Sequence, residues 1–265
     1  MAIFNEKPSL NYTSPAEEKW ANHLWALLEK AAEINVEQWT FFADPRQQQI
    51  ARELLQHFPM LKCSFFGGYP EAERVRICFS PFAVSELPEG VISCLSIEGS
   101  FPEGTLTHRD FLGAVLGLGI KREMVGDIIY RGGKKAFLLL TAGLKPFVLS
   151  NLQAIGNFTV SVTEVPLENL GEQFGPPRVK KIKGTVASMR LDAVAGLGFG
   201  LSRSKIAPLV KGGQVKVNYQ LVNQPSRVVK IGDLVSLAGR GRFEIVDTMG
   251  ETRKGRIHLL LHRFL

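Results

Sequence analysis

RLDAVAGLGFGLSRSKIAPLVKGGQVKVNYQLVNQPSRVVKIGDLVSL, residues 190–237, is the stretch whose reading decides the fold of the C-terminal third. It predicts two short helices followed by a small twisted sheet. Ser202 stands where an N-cap hydroxyl would accept from orphan backbone N–H groups of the second helix, and Leu201 with Ile206 form a hydrophobic staple across that start. Arg203 and Lys205 then fall in the first turn, where the helix dipole disfavours cations; two cations there imply an anion expected from outside. Gly212 and Gly213 stop the helix. Pro208 lies inside it and removes the N–H that would reach the carbonyl of Ser204, so a bend or early end is expected. Val215-Lys216-Val217-Asn218 then alternates as a half-buried strand does, with Lys216 and Asn218 outward.

Charge singles out the same region. From 178 to 265 there are 17 Lys and Arg against 5 Asp and Glu, net +12. The other 177 residues carry 15 against 20, net −5, which gives the chain its +7. A basic domain joined to a mildly acidic one points to a polyanionic partner. Lys180, Lys181 and Lys183 precede the quoted stretch and Arg240 and Arg242 follow it. The hydrophobic fraction, 45%, is that of a globular protein. No apolar run reaches the roughly 18 residues of a membrane-spanning helix, and no secretory signal is expected at the N-terminus. Cys63, Cys78 and Cys94 are odd in number and widely spaced, which reads as reduced buried thiols and no metal site.

Working outward, residues 14–33 open with Ser14, Pro15 and Glu17 in the positions of a capping box and carry Trp20, Leu24, Leu27, Leu28 and Ala31 at helical spacing. A second helix starts at Asp44-Pro45. Strands near 61–66 and 74–79 follow, turned around Gly67-Gly68-Tyr69-Pro70, with Glu73 and Arg74 as a local ion pair. Next come a strand at 91–100, a helix capped by Thr107, strands at 126–133 and 134–142 meeting at Gly132-Gly133, a helix at 144–155 and a strand at 158–165. That order is β-α-β-β-α-β, the ferredoxin-like arrangement shared by RNA-recognition-motif (RRM) domains. Its third strand lacks their aromatic stacking pattern, and Phe137 reads as core. Arg109, Lys121 and Arg122 flank the first helix of this segment and form a candidate second RNA surface. Pro and Gly punctuation at Pro166, Gly171, Gly175, Pro176 and Pro177 marks a domain boundary. A last hairpin is expected, 243–247 with 256–261, its terminal strand closing the sheet.

The fold class is therefore α+β, with an N-terminal α+β domain (1–88), a ferredoxin-like, RRM-like middle domain (89–168), a linker (169–182) and a C-terminal domain with a β-hairpin (183–265).

Arg190-Leu191-Asp192, Ser202-Arg203-Ser204, Gly213-x-Val215-x-Val217-Asn218 and Gly232-Asp233 together resemble the S4 RNA-binding domain, whose αL-like fold binds structured RNA through its two helices and adjoining loop. With TLTHRDFLGAVLGLGIKREMVGDIIY (105–130) and GGYPEAERVR (67–76), the chain resembles the YlmH family over nearly its whole length. Its branch resembles the cyanobacterial and plastid photosystem II S4 domain proteins. The resemblance implies binding to ribosomal RNA of the large ribosomal subunit, with tRNA as a second contact, in quality control of stalled subunits; the branch implies an association with photosystem II.

An enzyme is not expected. Gly196-Leu197-Gly198-Phe199-Gly200 follows a helix and precedes another, the wrong setting for a nucleotide loop. Asp192 sits where the S4 resemblance puts a structural residue. His258 and His262, at i and i+4 on a strand, are about 13 Å apart and cannot share a metal. No Ser or Cys has an adjacent base. The expected sites are Arg190, Ser202, Arg203, Ser204, Lys205, Lys211, Lys216 and Asn218, with Lys180, Lys181, Lys183, Arg240 and Arg242 as auxiliary electrostatics. No catalytic residue, cofactor or DNA specificity is expected, and the protein reads as a cytoplasmic monomer. The alternative reading is an assembly factor of photosystem II at the thylakoid surface.

Overall fold

The computed structural model describes residues 12, 14–102, 104–168, 170 and 179–264. The chain is α+β and divides into two compact units, Met1–Gly175 and Pro176–Leu265. Among the described residues no helix is long and apolar enough to cross a membrane. Most of the expected linker, at 169 and 171–178, lies outside the described residues.

The first unit begins with α1 (Pro15–Ile34), where Ser14 Oγ accepts from Glu17 N at 3.3 Å. β1 (Gln38–Ala43) comes next, then α2 (Pro45–Leu55), whose Asp44 and Gln47 form a reciprocal capping box. β2 (Lys62–Phe66) and β3 (Val75–Ser80) complete a three-stranded antiparallel sheet in the order β1-β3-β2. Leu24, Leu28, Ile50 and Leu54 of the helices and Ile77 and Phe79 of the sheet are fully buried in one core. β1 was not expected from the sequence. Both of its faces are largely covered and its pairing is broken by a bulge between Trp39 and Phe42, so no two-residue alternation is written in its side chains.

A second sheet follows: β4 (Ile92–Gly99), α3 (His108–Gly117), β5 (Val125–Tyr130), β6 (Lys135–Thr141), α4 (Lys145–Asn151), β7 (Ala154–Ile155) and β8 (Phe158–Val165). Apart from β7, the element order is the expected β-α-β-β-α-β, and the strands lie side by side as β5-β6-β4-β8-β7. Helix α4 stops earlier than expected. Residues 154–155 pair with 158–159 across a two-residue turn, in which Gly156 takes φ +58°, a conformation open to glycine at little cost.

The two faces of this sheet bury different things. Leu95, Ile97, Leu138 and Leu140 join Phe111, Val115 and Val148 of the helices. Ile92, Cys94, Phe137 and Leu139, on the other face, join Phe42 and Phe66 from the three-stranded sheet and Tyr69 from the connection between β2 and β3. The approach is close: a Cβ at Gly126 would lie 2.7 Å from the Phe42 ring. Phe137 is 8% exposed and packs as core, so the face that base stacking would need is covered by the N-terminal elements.

The second unit starts with β9 (Val179–Val186), which begins inside the stretch expected to be linker and runs on into the expected C-terminal domain. α5 (Leu191–Phe199), α6 (Arg203–Lys211), β10 (Val215–Val217), β11 (Gln220–Leu221), β12 (Leu234–Leu237), β13 (Gly241–Glu251) and β14 (Ile257–Phe264) follow. The sheet order is β11-β10-β12-β13-β14-β9. β14 thus pairs on both sides, with β13 and β9, and does not close the sheet as expected; the edges are β11 and β9. Both helices end in Schellman geometry: Leu201 N donates to Gly196 O at 2.9 Å after α5, and Gln214 N to Leu209 O at 3.0 Å after α6. Gly200 and Gly213 supply the positive φ at these ends.

Helix α6 runs through Pro208 and keeps its full length. The carbonyl left without a donor belongs to exposed Ser204, where water can replace the lost bond, and Ile206 and Val210 anchor the inner side at 0% exposure. Gly198 lets α5 lie on the sheet, since a Cβ there would overlap the Phe243 ring. Gly198→Val is therefore expected to destabilise the protein by about 1–3 kcal/mol through overpacking. Thermal unfolding followed by circular dichroism checks this, and an unchanged transition would mean that the helix can lift off the sheet freely.

Candidate nucleic-acid interface

The site is built around the start of α5. Leu191 N donates to Arg227 O at 2.8 Å and Asp192 N to Pro225 O at 3.0 Å, which fixes the loop 223–232 beside the helix. The Asp192 side chain, 6% exposed, then accepts from two arginines: Arg190 Nη2 at 3.0 Å and Arg203 Nη2 at 2.8 Å, both on Oδ2. Burial pushes this carboxyl up, and the hydrogen bonds and charges of Arg190 and Arg203 more than reverse that, holding it below the usual carboxylate range. Asp192 is thus the structural partner that the sequence reading proposed.

Arg190 and Arg203 remain 41% and 55% exposed. A guanidinium carries five N–H donors in a fixed fork, and Asp192 occupies only some of them. The arrangement pins each arginine by one side and presents the other to solvent. Lys205 and Lys211 on α6 are exposed and meet no carboxylate among the described residues.

Two expected roles change. Ser202 occupies the N-cap position of α6, but its hydroxyl makes no cap bond and lies 2.9 Å from the hydroxyl of Ser204. Asn218 is exposed, yet its amide serves the loop: Nδ2 donates to Asp233 Oδ1 at 2.8 Å and Oδ1 accepts from Leu234 N at 2.9 Å. With φ +49°, Asn218 holds a tight turn that few other side chains tolerate. Buried Asp233 also accepts from Lys230 N at 2.9 Å, so the motif residues Asn218 and Asp233 form one clamp on the loop.

The auxiliary cations divide by strand parity. Lys181, Lys183, Lys216 and Arg242 lie on the sheet face turned away from the helices, whereas Lys180 alternates to the helix side. Arg240 is exposed in the turn before β13, and its carbonyl accepts from Arg263. The loop beside Arg190 brings up two further exposed cations, Arg227 and Lys230, which the sequence reading passed over. The basic character of PSRVVK was their only visible signal.

Of the second surface expected on the middle segment, Arg109 is exposed in the first turn of α3 and Lys121 is exposed beyond the end of that helix, just before Arg122. Arg122 turns inward instead, donating through Nη1 to Val125 O at 2.6 Å and Gly126 O at 3.3 Å; burial, with Arg74 nearby, pulls its pKa down to about 10. Arg74 likewise spends its guanidinium on the carbonyls of Phe42 and Val125. Asp127 ties these elements together by accepting from Tyr69 Oη at 2.8 Å, Glu73 N at 2.7 Å and Arg74 N at 3.1 Å.

This geometry defines a class: a basic domain whose two helices lie on an antiparallel sheet and present half-free arginines and unpaired lysines to a polyanion. Residues 189–235 match the S4 domain, and residues 92–169 match the family described as "Putative RNA-binding domain in YlmH". The chain is 32% identical over 225 residues to ribosome-associated protein quality control protein P2 of Bacillus subtilis, covering 84% of this chain and 86% of that protein. It belongs to the YlmH family.

A solved structure, cell division protein ylmH from Streptococcus pneumoniae, superposes with a TM-score of 0.52 at 25% identity, covering 62% of this chain and 99% of that one. A stretch of 57 residues is 48% identical to small ribosomal subunit protein uS4 of Dechloromonas aromatica, 21% of this chain and 27% of that protein.

Proposed function

We propose that the protein is a non-catalytic binder of structured RNA that acts on the large ribosomal subunit in quality control, with ribosomal RNA as its main contact and tRNA as a second. The observation that carries this reading is the pair of arginines held by Asp192 at the start of the two helices, each with donors left over for phosphate. Lys205, Lys211, Arg227 and Lys230 extend that positive surface, and the hydroxyls of Ser202 and Ser204 can reach phosphate or 2′-OH groups. The likeness to a protein named for ribosome-associated quality control supports the ribosomal assignment. The protein acts in the cytoplasm as a monomer.

Two measurements test this. If about five phosphates are neutralised, log affinity for an RNA hairpin falls with log salt at a slope of roughly −3 to −5; a flat dependence would sink the electrostatic basis. In a sucrose gradient of native lysate, the protein is expected to travel with large subunits and to leave that fraction after ribonuclease. Exclusive sedimentation with membranes, resistant to ribonuclease, would replace this reading with the thylakoid one.

A further inference from the structure

The face of the C-terminal sheet away from α5 and α6 carries its own chemistry. The inner face is the core, where Val215, Val217, Val235, Leu237, Phe243, Ile245, Leu259 and Leu261 are nearly or fully buried under the helices. Strand alternation therefore points Lys216, Ser236, Arg242 and Phe264 to the other side.

The register aligns these four residues in one row. Lys216 pairs with Ser236 and Ser236 with Arg242. Phe243 pairs with Arg263, which sets Arg242 opposite Phe264. The Arg242 guanidinium lies over the Phe264 ring at 5.0 Å. Lys181 and Lys183 project from the same face on edge strand β9, opposite His262 and Leu260. The row spans four strands, about 14 Å, and holds no carboxylate. The face has two carboxylates, Glu244 and Asp247, farther along β13. Each is separated from the β9 lysines by the intervening strand β14. Among the described residues, Lys181, Lys183 and Lys216 meet no acidic partner.

We infer that this outer sheet face is a second RNA-binding surface, one that takes the sugar–phosphate backbone of an RNA segment other than the segment held by the helices. Cations spaced along a sheet, with an aromatic ring and a stacked guanidinium between them, form a sequence-tolerant site for an RNA strand. The two surfaces lie on opposite sides of one sheet, so a single rigid segment cannot cover both. The inference rests on the RNA-binding reading above, and it makes the domain a clamp between two RNA segments.

The test is a bridging assay with the full chain. An RNA hairpin is fixed on beads, protein is added, and a second, labelled RNA is offered. The wild type is expected to bind the beads and retain the labelled RNA. Lys181→Gln with Lys183→Gln and Arg242→Gln, all at the outer face, should still be captured by the beads and should retain at least tenfold less labelled RNA per bound protein than the wild type. Circular dichroism confirms that this variant is folded; if it is not, Lys181→Gln with Lys183→Gln takes its place with the same expectation. Wild type that binds the beads without retaining label, or a folded outer-face variant that retains it fully, overturns the second surface and leaves the first intact. Wild type that fails to bind the beads overturns the RNA reading and this inference together.

Discussion

Replacing Arg203 and Lys205 by glutamine is expected to weaken binding to a structured RNA by about 30- to 100-fold, with the fold preserved. Each residue offers one charge-assisted contact, worth roughly 1.5–3 kcal/mol when made to a phosphate, part of which solvent recovers at an exposed site. Two such losses at about 1–1.4 kcal/mol each give the stated factor. Glutamine is the better choice than glutamate. Arg203 touches the buried carboxylate of Asp192, and a second carboxylate beside it would add repulsion inside the domain. With glutamine, Asp192 keeps Arg190 at 3.0 Å. Filter binding or fluorescence anisotropy with a labelled hairpin measures the loss, and the salt slope should become shallower by about 2. Unchanged affinity in a folded variant would move the RNA site off the helices.

The second large effect concerns stability. Asp127→Ala is expected to destabilise the first unit by about 3–5 kcal/mol, because it leaves the hydroxyl of Tyr69 and the backbone N–H groups of Glu73 and Arg74 without their acceptor. Each such group costs about 1–3 kcal/mol when buried and unpaired, and partial access of water trims the sum. Denaturant unfolding compares variant and wild type, and a loss under 1 kcal/mol would show that the interface does not depend on this carboxylate.

The pH dependence follows from burial, which raises the Asp127 carboxyl above its ordinary value against the opposing hydrogen bond from Tyr69. A raised value in the folded state gives stability that is fully present below the unfolded value and lost as pH rises through the folded one. The gap between wild type and Asp127→Ala should accordingly widen on acidification through the carboxylate range. Asp192 has the opposite sign: its depressed value gives stability that is present above the unfolded value and lost as pH falls through the folded one.

Two of the sequence motifs acquire physical reasons from the contacts of Asp127. GGYPEAERVR supplies Tyr69, the backbone donors at 73 and 74, and the guanidinium of Arg74, while GDIIY supplies Asp127 as their shared acceptor. Both motifs therefore serve one join between the N-terminal elements and β5. Glu73 and Arg74, read from the sequence as a local pair, have their backbone groups on Asp127, and the Arg74 guanidinium reaches carbonyls. Arg122 joins them for the same reason and so leaves the set of RNA contacts.

Local rules written into neighbouring residues determined much of this protein from the sequence alone. Ser14, Asp44 and Thr107 mark three helix starts because caps act over three or four residues. Gly213 ends α6 because glycine accepts positive φ. The alternation of Val215 to Asn218 fixes which face of β10 is inward, and the charge asymmetry fixes which unit carries the net positive charge.

Tertiary structure alone decided what depends on distant partners. Strand β9 looks like a charged linker until β14 pairs with it residue by residue. β1 shows no alternation because Phe42 is buried against the middle sheet while its neighbours face elsewhere. Asn218 has the chemistry of an RNA contact, but its amide is engaged first by Asp233, which a separate strand end brings up. Lys180 and Lys181, adjacent in the chain, serve opposite faces because a strand turns each successive side chain over, and only the sheet says which side is which.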